Sequence, residues 1–202
     1  QLPLPDAVDS AAVCDAISQR KDVDGIHPLN MAAMARHEDP FYTPCTPKGI
    51  MCLIKSVCPK ILGKKATVIG RSNIVGMPVA LLLQKEFATV TLCHTFTRNL
   101  REEIATADIV VSATGCPYLV KGDFIKPGAI VIDVGTQFVA DKSRKSGRRL
   151  VGDIDYQSAA TRAGFITPVP GGVGPMTIAM LMDNIVLAWK RANFAHIQET
   201  IE

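Results

Sequence analysis

An α/β fold with an open parallel sheet is predicted for these 202 residues by two patterns. Short, unbroken, β-branched runs recur: ATVIG (Ala66–Gly70), TVTLCH (Thr89–His94), DIVVSA (Asp108–Ala113) and AIVIDV (Ala129–Val134). Runs without polar alternation belong to strands covered on both faces, as in parallel sheets. Helical stretches lie between them, and strand alternating with helix is the mark of β-α-β units.

The elements follow in order. The first 45 residues fit the sheet poorly, with one helix at about Ser10–Ile17 and two loop-like runs, KDVDGIHPLN and DPFYTPCTP. They read as the tail of a different domain. Thr46–Val57 is a helix with a Thr cap and Pro behind it. Ile50, Leu53, Ile54 and Val57 form its apolar stripe, and Pro59 ends it. Pro78–Phe87 starts with Pro in the first turn. Asn99–Ala107 has Asn as its cap and acids in its first turn. ADKSRKSGRR (Ala140–Arg149) reads as a charged, solvated loop. The longest helix is Thr177–Ala192, with Ile178, Leu181, Met182, Ile185 and Trp189 on one face.

Composition excludes several classes of function. The chain is 48% hydrophobic and 20% charged, as in globular proteins. A net charge of +3, with no basic patch interleaved with aromatics, argues against nucleic acid as a partner. No apolar run approaches a membrane span. Six cysteines, at 14, 45, 52, 58, 93 and 116, form no C-x-x-C pair and gather no histidines. No metal site is expected, and reduced thiols suit a reducing compartment.

GRSNIVGMP (Gly70–Pro78) places a glycine turn and a helix start directly after a strand. Backbone N–H groups and the helix dipole make such a turn a pyrophosphate site. Gly70 and Gly76 do not follow the G-x-G-x-x-G spacing, so a tight strand–helix connection fits equally well. The second strand ends CHTFT, with no acid to hold a ribose hydroxyl. Arg71 suits a 2′-phosphate instead, and Thr95 adds a hydroxyl, which favours NADP over NAD. His94 fits either a helper in that site or a structural residue.

TPVPGGVGPMT (Thr167–Thr177) brings three glycines and three prolines to the start of a helix, where backbone can approach a flat ligand. This string strongly resembles the signature of the methylenetetrahydrofolate dehydrogenase/cyclohydrolase family. DVDGIHPLN, PCTPKG, GRSNIVGMP, ADIVVSATG, IKPGAIVIDVG and VGDID resemble the family too, in its order, from Gln1 to about Arg191. The resemblance implies a Rossmann-like parallel-sheet domain plus the remnant of an N-terminal α/β catalytic domain. The implied division is 1–45 for the remnant, 46–175 for the NAD(P)-binding domain, and 176–202 for a helix returning to the first domain. It further implies oxidation of 5,10-methylenetetrahydrofolate to the methenyl form with NADP. Hydrolysis to 10-formyltetrahydrofolate follows in the full-length protein.

Residue by residue, the resemblance places Gly70, Arg71, Ser72, Thr95 and Thr136 at the cofactor. Thr136 stands where bacterial members usually have Ile. Leu2, Pro170, Gly171, Gly172, Val173, Gly174 and Thr177 fall on the folate side. Asp24 matches the carboxylate that grips the pterin, whose paired N–H donors a carboxylate suits. On its own, it also fits an Asp–Gly turn. Gln1 matches a glutamine beside a catalytic lysine in a Tyr-x-x-x-Lys motif that these residues do not contain. QLPLP thus reads as an interior segment, with the lysine expected upstream and turnover by this stretch alone expected to be impaired. A homodimer is implied, in the cytoplasm or mitochondrion with the cytoplasm favoured. Two other readings are a fragment that binds NADP or folate without catalysis, and another NADP-linked two-domain dehydrogenase of the shikimate type.

Overall fold

A computed structural model describes Leu2 and residues 4–198. The expected strands form, each within a residue of its predicted bounds: β1 (Lys65–Ile69), β2 (Thr89–Cys93), β3 (Ile109–Ser112) and β4 (Ile130–Asp133). Two further strands, β5 (Gln137–Ala140) and β6 (Arg148–Val151), make an antiparallel hairpin. β7 (Phe165–Ile166) completes a five-stranded parallel sheet in the order β2-β1-β3-β4-β7.

Both faces of that sheet are covered, as the unbroken apolar runs require. On one face, Val68, Ile109, Val111 and Ile132 pack with Ile50 and Ile54 of α3 (Cys45–Val57) and Val79 and Leu83 of α4 (Gly76–Lys85). On the other, Ile69, Val110 and Val131 pack with Ile104 of α5 (Leu100–Ala105) and Ala159 of α6 (Tyr156–Ala160). Neighbouring strand residues serve opposite faces because the pleat has a period of two.

The first 45 residues hold more structure than the loop-like reading allowed. Besides α1 (Ser10–Ala16) they form a short 3-10 turn at Gln19–Lys21 and α2 (Pro28–Ala35). Pro28 takes the first-turn position, where its missing N–H costs nothing, and His27 Nδ1 accepts from Leu29 N at 3.2 Å. The run HPLN therefore starts a helix rather than a loop. Two expected caps also differ. Pro44 precedes α3, and Thr46 lies inside it with its hydroxyl 3.0 Å from that of Thr177. Asn99 stands before α5 in a left-handed conformation (φ 56°), and its side chain caps nothing.

The last helix, α7, runs from Val173 to Gln198. Its apolar stripe points away from the sheet, with Ile178 64%, Met182 59% and Trp189 58% exposed. The face turned inward buries Asn184 instead, and Gly49 of α3 lets Met176 come close. The charged run at 140–149 is not simply solvated: its ends belong to β5 and β6, and residues 141–147 form the turn between them. No described helix is long and apolar enough to cross a membrane.

Candidate functional site

The strand order reverses between β1 and β3, and a doubly wound sheet opens a ligand crevice at its carboxyl edge there. The loop after β1 is built by what it lacks. Gly70 has φ +105°, and a Cβ on it would stand 2.2 Å from Ala113 O. A Cβ on Gly76 would meet Gly70 O at 1.9 Å. Only glycine at both positions lets the loop fold back between β1 and β3. Ser72 Oγ accepts from Val75 N at 3.2 Å and Gly76 N at 3.4 Å, so the hydroxyl ties down the helix start. Among the described residues, no acceptor meets the N–H groups of Arg71, Ser72, Asn73 and Ile74. Four successive exposed donors at the mouth of a helix form an anion cradle.

The exposed Arg71 and Thr95 follow neighbouring strands, since Ile69 pairs with Cys93 and Gly70 N donates to Cys93 O at 2.9 Å. His94 is spent on its own turn. Its Nδ1 accepts from Phe96 N, and its N donates to Thr97 Oγ1 at 2.8 Å. Thr136 lies exposed beyond β4, along the same edge. The five residues expected at the cofactor therefore lie along the sheet's carboxyl edge.

Beyond β3 and β4 lies a feature absent from the sequence reading: two buried aspartates. Asp133 Oδ1 accepts from Gly135 N at 3.0 Å and Asp153 N at 2.9 Å, and its Oδ2 accepts from Ile154 N at 3.0 Å. Asp153 Oδ2 accepts from Ser112 Oγ, Thr114 N and Thr114 Oγ1 at 3.0, 2.6 and 2.9 Å. Asp153 Oδ1 is buried and meets no partner among the described residues. Burial pushes Asp133 up to about 6. The Asp153 charge adds to that rise, and the N–H donors oppose it. Acids ending the apolar runs AIVID and LVGD were the available signal, because a charge at the end of a two-sided strand must be satisfied there.

Asp133 N also donates to Thr167 Oγ1 at 2.8 Å, which leads into the proline–glycine loop. Gly171 has φ +106°, and a Cβ on Gly172 would stand 2.6 Å from Pro168 O. Pro170, Gly171 and Gly174 are exposed, whereas Val173 is buried and begins α7. Thr177, one turn on, reaches Thr46. Asp24 is exposed, and its carbonyl accepts from Cys45 N at 3.2 Å. Burial, helped by the nearby Asp24 charge, raises the Cys45 thiol to about 11. Buried Asn184 of α7 donates to Val23 O at 2.8 Å and Thr43 O at 3.0 Å, and Lys48 Nζ donates to its Oδ1 at 2.9 Å. Asp24 and the 170–174 loop are thus tied to one helix pair. Leu2 and Asp24 line one small cavity of about 140 Å³. Gln1 lies outside the described residues. No group of three or more metal-ligating side chains occurs among the described residues.

Comparison with known proteins bears on the family and the fold. The model of the tetrahydrofolate dehydrogenase/cyclohydrolase NAD(P)-binding domain matches residues 44–193. The bifunctional protein FolD 2 of Arabidopsis thaliana is 55% identical over 192 residues, covering 95% of this chain and 64% of that protein. The mitochondrial C-1-tetrahydrofolate synthase of Saccharomyces cerevisiae is 52% identical over 192 residues, 95% of this chain and 20% of that one. The chain thus spans less than two thirds of the length of these relatives. The Trypanosoma brucei dehydrogenase-cyclohydrolase (FolD), solved with NADP and an inhibitor, superposes with a TM-score of 0.90 at 46% identity. That match covers 95% of this chain and 66% of the other. With its parallel sheet, its glycine-walled loop and a family match over residues 44–193, the chain belongs to the tetrahydrofolate dehydrogenase/cyclohydrolase family.

Proposed function

We propose that the chain binds NADP along the carboxyl edge of its sheet and serves the oxidation of 5,10-methylenetetrahydrofolate to the methenyl form. The row of N–H groups at 71–74 that meet no acceptor among the described residues, with the Arg71 side chain and a β2 end without an acid, carries this reading. These residues fit the cofactor. The glycine pair clears space for a pyrophosphate, while Arg71 and Thr95 offer a guanidinium fork and a hydroxyl to a 2′-phosphate. Bound NADP would supply the hydride acceptor. Thr136 borders the far end of that track.

The folate side rests on fewer groups. Hydride transfer depends mainly on geometry, and the exposed backbone of Pro170–Gly174 lets a flat ligand lie close. Asp24 grips the paired N–H donors of the pterin, with Leu2 beside it and Thr177 holding the loop's helix. Asn184 orients the Asp24 turn by holding the carbonyls of Val23 and Thr43. We assign hydrolysis of the methenyl product to the whole protein, where Gln1 works with a lysine of a Tyr-x-x-x-Lys motif. Residues 1–45 belong to the folate-binding domain, 46–175 to the cofactor domain, and 176–202 to the helix that returns to the first. Asn184 and the Arg191 guanidinium, which stacks 4.2 Å from the Phe41 ring, support that return. A homodimer in a reducing compartment completes the reading.

A titration of the chain with NADP and NAD tests the cofactor. NADP is expected to bind more tightly, and Arg71→Ala to weaken NADP by about tenfold with NAD unchanged. Equal affinity for both cofactors, or an unaltered ratio in the variant, overturns the assignment.

A further inference from the structure

Among the described side chains, Phe96 is the most exposed of the large apolar ones, at 85%. It belongs to neither hydrophobic core. Its backbone is nonetheless held. Thr97 N donates to His94 O at 2.8 Å, closing a four-residue turn directly after β2. His94 N donates to Thr97 Oγ1 at 2.8 Å, and Phe96 N donates to His94 Nδ1 at 3.1 Å. These three bonds fix the turn before any ligand arrives. The Phe96 ring stands at 67° to that of His94, with 6.3 Å between centroids, and its exposure leaves its faces open.

The place of the turn gives the ring a use. Ile69 pairs with Cys93, and Gly70 N donates to Cys93 O at 2.9 Å, so the turn leaves the sheet level with the loop that carries Arg71. Thr95 and Phe96 are its two central residues, both exposed, with Cα atoms about 3.8 Å apart. A ribose carries its 2′-phosphate and its base on adjacent carbons. A turn that offers Thr95 to the phosphate therefore sets its next residue beside the base. β2 is an edge strand, so no further strand of the sheet crowds that side. The next most exposed apolar side chains, Phe87 and Leu62, precede β2 and β1 and lie at the opposite edge of the sheet, away from the crevice.

We propose that the Phe96 ring stacks on the adenine of the bound dinucleotide, so that the base as well as the 2′-phosphate supplies affinity. The proposal rests on the cofactor reading above. Stacking needs two flat π surfaces and no matched donors, which an exposed ring on a rigid turn provides. Adenine is uncharged and common to both dinucleotides. The site is thereby divided: Arg71 and Thr95 tell NADP from NAD, and Phe96 holds the two alike.

The test is a titration of the full chain with NADP, NAD and adenosine 2′,5′-bisphosphate, which has the base and the 2′-phosphate but no nicotinamide. Phe96→Ala is expected to weaken all three by about tenfold and to leave the ratio of NADP to NAD affinity unchanged. Phe96→Tyr keeps the ring and should bind within about twofold of the wild type. In high salt the loss in Phe96→Ala should persist, because no charge is removed, whereas the loss in Arg71→Ala should shrink. Unchanged affinities in Phe96→Ala overturn the stack. So does a loss that spares NAD, or a Phe96→Tyr variant as weak as Phe96→Ala. In each of these cases the cofactor reading stands if Arg71→Ala still lowers the NADP affinity. A wild-type chain that binds none of the three ligands overturns both.

Discussion

Beyond β1 the chain makes room by omitting side chains, and beyond β4 it makes a lock by burying them. Among the described residues, the first loop leaves four N–H groups without an acceptor, between two glycines that tolerate no Cβ. The second region spends its donors internally: three N–H groups go to Asp133, and Ser112 and Thr114 go to Asp153. An open cradle waits for a charge from outside. A closed one supplies its own charge and fixes the loops around it. One end of the sheet edge is therefore shaped by backbone that tolerates no side chain, and the other by buried carboxylates that backbone and hydroxyl donors hold.

Gly76→Ala strikes the open region hardest. The new methyl would lie 1.9 Å from Gly70 O, and backbone on both sides leaves little room to yield. A cost of about 3 kcal/mol in urea unfolding is expected, with loss of measurable NADP binding. A variant of wild-type stability that still bound NADP would mean that the loop is not shaped by this contact.

The lock responds to charge instead. The Asp133 carboxyl sits at about 6 in the fold, above its ordinary 3.8, so the native chain holds a proton that the unfolded chain releases. Its contribution is complete below about pH 4 and is lost as pH rises through 6. A shift of this size corresponds to about 3 kcal/mol. Asp153→Asn removes the neighbouring charge, keeps an oxygen facing Ser112 and Thr114, and should lower the Asp133 midpoint and flatten that pH dependence. Asp133→Asn turns an amide N–H₂ toward backbone N–H donors and should cost about 2 kcal/mol at any pH. Urea titrations at pH 5 and pH 8 separate the two variants. If both behave alike, the pair is not asymmetric in the way its hydrogen bonds suggest.

The same contrast sets what could be read from the sequence. Two-sided burial leaves a one-dimensional trace, so β1 to β4 were legible, and so was the glycine loop, because glycine is itself the signal. The hairpin was not: Arg148 and Arg149 look solvated until Phe138 and Tyr118 are brought to them from elsewhere in the chain. The stripe on α7 was legible as a stripe, but periodicity does not say which face meets the sheet. There, buried Asn184 won the inward position by bonding two carbonyls that lie more than 140 residues earlier in the chain. Asp133 and Asp153 were hidden for the same reason, since each is satisfied mainly by groups distant in sequence. Asp24 and Pro170–Gly174 were named by resemblance to a family, and the fold ties them to the same two helices.

A weaker contact extends the lock toward the folate side. Thr167 accepts from Asp133 N, and the helix that follows is pinned by the Thr46–Thr177 hydroxyl pair. Thr177 Oγ1 donates its only proton to Val173 O at 3.2 Å, so Thr46 must be the donor in the pair. The two valine substitutions are therefore unequal. Thr46→Val removes one donor and should cost about 0.5–1 kcal/mol, whereas Thr177→Val removes an acceptor and a donor and should cost about 1–2 kcal/mol. The double variant should cost no more than Thr177→Val alone, leaving a coupling of about 0.5–1 kcal/mol in a double-mutant cycle. Strict additivity would mean that the pair transmits nothing between α3 and α7, and that the lock ends at Thr167.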